Sequence, residues 1–489
     1  MNFKIPNTLF QGKNNKLLFY LISAIFIGLN TLFLYFDFLY FGLFSFVLAV
    51  SWFAIFAYDK LYYFIIIFTP LSISLSDFFD LPFDLSIPTE PLMIVLLAIL
   101  LLRLLSGNRI KKEHILHPVS ISIIIYLVWM FITSISSSLP IVSIKFLLAK
   151  LWFIIPMYFF SIIILKKEKN QSLIIWLYII PMLIVIFYTI IRHLGYGLFD
   201  KQAAHFVMDP FFNDHTSYGA ILSMYWPVLF GFMLQPGIKS TKKIFILIVL
   251  LIFSLALVFS YTRAAWISLV AALFFGMLVY LKVKVRYLII VGLAVIATLF
   301  VYRFEINDRL SKNKQDSSSD LDEHIKSMSN IATDASNLER INRWNSAFLM
   351  FKERPVLGWG PGTYAFKYAG FQMARDKTII STNFGEGGNA HSEYLSALID
   401  SGVLGLISFL LIITLVIRSA INSYNRLENT KYKILLWSVL VGFVSYLIHG
   451  FLNNFLDTDK ASVPFWSFVA IIVVIDLSLK TKKSSAWGS

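Results

Sequence analysis

The stretch Ile244–Leu281, IFILIVLLIFSLALVFSYTRAAWISLVAALFFGMLVYL, decides the fold. Its two apolar runs, 244–261 and 264–281, carry no charge, and each is close to the roughly 20 residues a membrane helix needs. Only Thr262 and Arg263 part them, so the pair reads as a spanning hairpin with almost no loop, and Arg263 is held at a membrane boundary. Lys239, Lys242 and Lys243 precede the first run; Lys282, Lys284 and Arg286 follow the second. Short cytoplasmic loops collect Lys and Arg. The open ends of the hairpin therefore face the cytoplasm and Arg263 faces the outside.

The same reading extends along the chain. Fourteen apolar segments lie near 17–35, 38–57, 61–76, 91–106, 119–137, 146–165, 172–191, 216–234, 244–261, 264–281, 287–303, 402–418, 434–452 and 462–479, with 61–76 and 91–106 the shortest. The expected fold is all-α and polytopic, with about 12–14 transmembrane helices. Of all residues 58% are hydrophobic and 14% charged, and mean hydropathy is +0.73. A soluble domain carries about 25% charged residues. This excludes a soluble enzyme, a disordered chain and a nucleic-acid partner. The net charge of +14 is a topology signal, because the basic residues alternate from loop to loop: Lys60; Arg109 to Lys112; Lys166 to Lys169; Arg426 to Lys433; Lys480 to Lys483. Both termini are expected in the cytoplasm, and the first segment is expected to be retained, since no small-residue cleavage pattern ends it. Cysteine is absent, which removes disulfides, thiolate metal sites and a Cys nucleophile.

Residues 304–401 break the pattern as a long polar external loop between an N-terminal helical block, 1–303, and a C-terminal one, 402–489. A loop of this length is functional or disordered. Ser311–Asp322 (SKNKQDSSSDLD) reads as flexible. Asn337–Phe351 (NLERINRWNSAFLMF) reads as an amphipathic helix ending before Arg354-Pro355. Gly358–Tyr364 (GWGPGTY) is a tight turn, and a Gly-rich stretch, 385–388, precedes His391.

Charge at membrane depth points to function. Arg192 ends the segment 172–191 on the same external face as Arg263 and opens the loop RHLGYGLFDKQAAHF, which leads to Asn213-Asp214-His215. A single Arg at a helix end can simply anchor to lipid headgroups. Two on one leaflet also suit an external phosphate-bearing ligand, because the guanidinium fork matches phosphate oxygens. None of the eight histidines forms an HExxH pair, and no carboxylate cluster has metal-ligand spacing, so neither metal nor cofactor is expected. His391, where the loop re-enters the membrane, is either a structural residue at a helix start or a general base.

Four motifs together resemble the O-antigen ligase family. His391-Ser392, nine residues, then Gly402-Val403-Leu404-Gly405 fit H[NSQ]-x9-GxxG; SYTRAAW fits S-x-[ST]-R-[GA]-x-W; NLERINRW and ERPVLGWGPGTY fit its R-x-x-x-W helix and P-x-x-G-x-G-P-G turn. They occur in the family's order and cover about residues 190–420. The resemblance implies a GT-C type, inverting, metal-independent glycosyltransferase in the bacterial inner membrane with a periplasmic active site. Its donor would be a glycan on undecaprenyl pyrophosphate, and its acceptor the lipid A–core. Arg192 and Arg263 would bind the pyrophosphate, Arg263 by motif and Arg192 by placement. His391 would be the general base, and Arg340 and Trp344, four apart on one helix face, would close over the donor. The alternative is a polymerase of the same superfamily, whose acceptor is another lipid-linked repeat unit. The span count favours the polymerase and the His391 motif favours the ligase. A protein O-oligosaccharyltransferase and a lipid-linked-glycan flippase are further readings; the first usually carries an additional C-terminal domain, and the second lacks a reason for the long loop.

Overall fold

In the computed structural model the described residues are 24–25, 27–29, 31–33, 35–36, 57–77, 85–107, 110–283, 339–377, 381 and 388–485. The expected segments 38–57 and 287–303, most of 17–35, and the stretch 311–322 lie outside them. Among the described residues the fold is all-α apart from one two-residue antiparallel strand pair, Ile73–Ser74 with Ser86–Ile87. Among the described residues nine helices are long and apolar enough to cross a membrane.

The helices, numbered α1 to α12 in chain order, are Tyr58–Phe68, Thr89–Leu105, Pro118–Ile135, Pro140–Ile164, Glu168–Tyr196, His215–Leu234, Ser240–Phe259, Arg263–Tyr280, 339–353, Glu393–Arg426, Thr430–His449 and Asp459–Ser485. One expected span falls short. Segment 61–76 is an 11-residue helix, α1, because Pro70 cannot donate into a continuing helix and the chain turns through Thr69–Leu71 into a strand. Segment 91–106 is α2, 17 residues long. The loop helix expected over 337–351 appears as α9.

α12 is the centre of the bundle. Of its spanning window 83% is buried, against 33% for α7 and for α8, which form the apolar hairpin at the periphery. α11 runs beside α6 and α8 with little side-chain thickness between them: a Cβ on Gly442 would stand 2.3 Å from the Met224 carbonyl, and one on Gly276 2.5 Å from Val441. Close approach through small residues is how helices associate without a hydrophobic drive between them.

The two ends of the bundle differ. One gathers the basic loops: His117 and Ser423 meet Asp476, Arg426 and Lys480 flank it, and Tyr432 donates to Glu168. The other gathers the segments 69–77, 85–89, 136–140, 196–215, 260–263, 354–377, 388–392 and 449–459, and it carries the candidate site.

Candidate functional site

The base of this site is an interlock between two glycine motifs. At Gly402 α10 kinks, with φ 68° and ψ −168°, a conformation open to glycine. The kink releases the Ile399 and Asp400 carbonyls from the helix. They accept instead from the Trp359 and Gly360 N–H groups at 2.9 Å each. The Trp359 carbonyl in turn accepts from the Ser138 N–H at 2.9 Å, so the GWGPG turn is clamped between α10 and the α3–α4 hairpin. A Cβ at Gly360 would lie 2.0 Å from Ser137 Oγ, and one at Gly402 2.0 Å from the Val356 carbonyl. Trp359 then donates its indole N–H to the Met350 carbonyl, which fixes α9 over the membrane end.

Before α10 the chain makes a second fixed turn. Ser392 caps the helix by accepting from Leu395 N–H, Asn389 Oδ1 accepts from His391 N–H at 3.0 Å, and His391 itself is left-handed with φ 47°. For a residue with a Cβ this conformation costs on the order of 1–2 kcal/mol and is characteristic of functional positions. The turn is anchored from below. Glu393 N–H donates to the Gly450 carbonyl at 2.9 Å. Its carboxylate accepts from Tyr446 and from the Phe455 and Leu456 N–H groups at 2.8–2.9 Å. Lys150, buried in α4, pairs with Asp457 at 2.6 Å and donates to the Leu456 carbonyl.

Around the His391 imidazole the charges are mainly positive. Arg343 and Arg340 reach it from α9, with Asp214 and Glu339 opposing. Burial, then Arg343 and Arg340, pull the imidazole down to about 4, so it is neutral through the physiological range. Its ring has no hydrogen-bond partner among the described residues. Arg343 is held rigidly: Nε donates to Glu339 at 2.9 Å, Nη1 to the Asn389 carbonyl at 2.9 Å, and the guanidinium lies over the Tyr368 ring at 5.2 Å. Gly388 makes room for it, since a Cβ there would meet Arg343 Nη1 at 2.1 Å. Burial lowers the Arg340 guanidinium below its ordinary range while Asp214 resists. Trp344 lies on the same face of α9, and its buried indole N–H has no partner among the described residues.

The structure thus brings His391 and Arg340 into one electrostatic cluster, and adds Asp214, Glu339, Arg343 and Asn389, which sequence reasoning did not single out. Their one sequence signal was position: Glu339 and Arg343 sit one turn apart on the loop helix, and Asp214 precedes a membrane helix. Arg263 and Arg192 stand at the same end by other routes. Arg263 is the first residue of α8, exposed, with no side-chain partner among the described residues. Thr262 beside it gives its hydroxyl to the His215 carbonyl at 2.7 Å instead of capping the helix, and the N–H groups of Arg263 and Ala264 find no acceptor among the described residues. A cation at a helix N-terminus opposes the macrodipole, which destabilises by about 0.3–1 kcal/mol. An anion there would meet both the guanidinium and the open N–H groups. Arg192 lies near the end of α5, donates Nη1 to the Asp209 carbonyl and the Tyr188 hydroxyl, and thereby holds the 197–214 loop.

Beside the cluster is a cavity of about 670 Å³. Asp214 and Asn389 belong to its wall; Arg192, Arg263 and His391 do not line it. Among the described residues no three His, Asp or Glu side chains are arranged to hold a metal ion.

One end of this polytopic all-α membrane protein thus carries a half-buried histidine among arginines. Residues 248–410, about a third of the chain, match the family model described as O-antigen ligase. The matched stretch contains Arg263, Arg340, Trp344 and His391 and begins after Arg192. No curated protein matches the chain.

Proposed function

We propose that the protein transfers a glycan from undecaprenyl pyrophosphate to an acceptor hydroxyl, with the lipid A–core as acceptor, at the periplasmic face of the bacterial inner membrane, with inversion and without a metal ion. The observation that carries this reading is the setting of His391: a half-buried imidazole on a strained backbone, held neutral by desolvation and the charges of Arg343 and Arg340 and bonded to no carboxylate.

Its chemistry follows from those charges. The acceptor hydroxyl attacks the anomeric carbon from the face opposite the pyrophosphate. His391 takes the hydroxyl proton as the C–O bond forms, and the bond to the lipid pyrophosphate breaks with its electron pair leaving on phosphate oxygen. Arg263 and the open N–H groups at the α8 start meet that developing charge. Arg192 offers the guanidinium nitrogens its loop contact leaves over. Preorganised donors of this kind are worth about 2.7–4 kcal/mol each. In the empty site the arginines hold His391 weakly basic. A bound pyrophosphate offsets their charge and raises the imidazole toward neutrality, so the base strengthens when the donor is present. Arg340 and Trp344, on the α9 face above His391, close over the donor.

The test supplies the purified protein with undecaprenyl-pyrophosphate-linked glycan and two acceptors, lipid A–core and a second lipid-linked glycan. Glycosylated lipid A–core, formed in EDTA and with the anomeric configuration inverted, is the expected product. Extension of the lipid-linked glycan alone would make the protein a polymerase. Loss of transfer in EDTA with recovery in magnesium or manganese would overturn the metal-independent step.

A further inference from the structure

The 670 Å³ cavity falls in the size range of ligand sites, and its lining is the wrong chemistry for a pyrophosphate. Three helix N-termini approach it, those of α2, α6 and α12, which would by themselves attract an anion. Each brings its own carboxylate: Glu90, Asp214 and Asp459. Asp457 makes a fourth, paired through one oxygen with Lys150 at 2.6 Å, and the cations of the wall itself are Lys145 and Lys460. Lys460 is already engaged, donating to the Thr69 and Ser72 carbonyls and to the Ser72 hydroxyl, which leaves Lys145 at the exposed side. The rest of the wall mixes hydroxyl and aliphatic side chains with aromatic and amide ones, among them Trp152, Phe211 and Phe455, only partly buried, and Asn389. Carboxylate and amide oxygens accept from hydroxyls, and flat aromatic faces take apolar C–H surface.

We propose that this cavity is a sugar subsite, in which Asp214, Asp457 and Asn389 hold the hydroxyls of an uncharged sugar against Trp152, Phe211 and Phe455, and which rejects a uronic acid. The proposal rests on the lipid-linked-glycan reading above and adds where the sugar lies and which sugars fit. The placement is direct: Asn389 bonds the His391 backbone N–H, so one wall of the cavity is the turn that carries the proposed base. A sugar here leaves its lipid pyrophosphate outside, toward the arginines that do not line the cavity. The carboxylates therefore select against acidic sugars by like-charge repulsion in a partly desolvated site.

The cysteine-free chain permits a protection experiment. Single cysteines replace Asn213 and, separately, Lys145, both exposed and both in the wall, and Lys242 at the opposite end serves as control. Each purified protein is titrated with undecaprenyl pyrophosphate, with the same lipid carrying a neutral disaccharide, and with the same lipid carrying a disaccharide that contains a uronic acid. Labelling by a small maleimide and the melting temperature are read together. The expected result is severalfold slower labelling at 213 and 145 with the neutral disaccharide, little change with the bare lipid or the acidic disaccharide, and none at 242. Protection by the bare lipid, or equal protection by both disaccharides, overturns the subsite. A melting temperature raised by the lipids without protection at either wall position overturns the subsite and leaves the donor reading standing. No thermal shift with any of the three overturns both.

Discussion

Two histidines, His117 and His391, stand just before spanning helices at opposite ends of the bundle and are treated in opposite ways. His117 is buried, caps α3 through Nδ1, and bonds Asp476 through Nε2 at 3.1 Å; Asp476 is further held by Lys480 at 2.8 Å and Ser423 at 3.0 Å. Every polar contact there is answered by another, which is the pattern of a brace between α3, α10 and α12. His391 has a strained backbone, arginines for neighbours and no ring partner. A low affinity for protons does not by itself separate the two ends, because His114 near the first is also pulled down to about 4, by burial and Lys166. The ring nitrogens of His114 also lack hydrogen-bond partners among the described residues, so what separates the ends is the strained backbone and half-exposed ring of His391 together with an uncapped helix carrying a terminal arginine.

The comparison is broken most severely at His391. His391→Ala should lower transfer by about a hundred- to ten-thousandfold, the range of a general base, with donor binding and melting temperature near wild type. Arg263→Ala should lose about a hundred- to a thousandfold in rate and also weaken donor binding, since the guanidinium meets the pyrophosphate before and during departure. Arg263→Lys should recover part of it, because an ammonium lacks the fork. His117→Ala should behave the other way. It should cost about 1–3 kcal/mol of stability through the partner left in the buried network, while the folded fraction transfers glycan at the wild-type rate. Denaturation in detergent, run beside the transfer assay, separates these outcomes.

Much of this was legible in sequence. Apolar runs placed α3, α5 to α8 and α11 within about five residues at each end, because a spanning helix is a local property of about 20 residues, whereas α4 begins six residues before the expected 146–165 and α10 begins nine residues before and ends eight after the expected 402–418. The loop helix and the GWGPG turn were legible for the same reason. The interlock at Gly402 was visible as a motif without its cause, since the carbonyls it frees are taken by residues some forty positions earlier. Lys150 and Lys460 were invisible as buried charges. Lys150 interrupts an apolar stretch and Lys460 ends the polar run DTDK before one, and each is satisfied by groups from distant segments, Asp457 and Leu456 for Lys150 and Thr69 and Ser72 for Lys460. The partners of His391 were missed likewise: Asp214 and Arg343 reach it from different parts of the chain, and no spacing rule joins them.

The central claim is that desolvation, aided by Arg343 and Arg340, holds His391 as a neutral base, and the acid limb of kcat/KM tests it most directly. The base works deprotonated, and its value in the free enzyme lies below the ordinary 6.5, at about 4, so activity should persist as pH falls through 6.5 and be lost only near 4 to 5. Arg343→Gln removes the largest charge holding it down and should move that limb upward, toward 6.5. A wild-type limb at 6.5 that Arg343→Gln leaves in place would contradict the account.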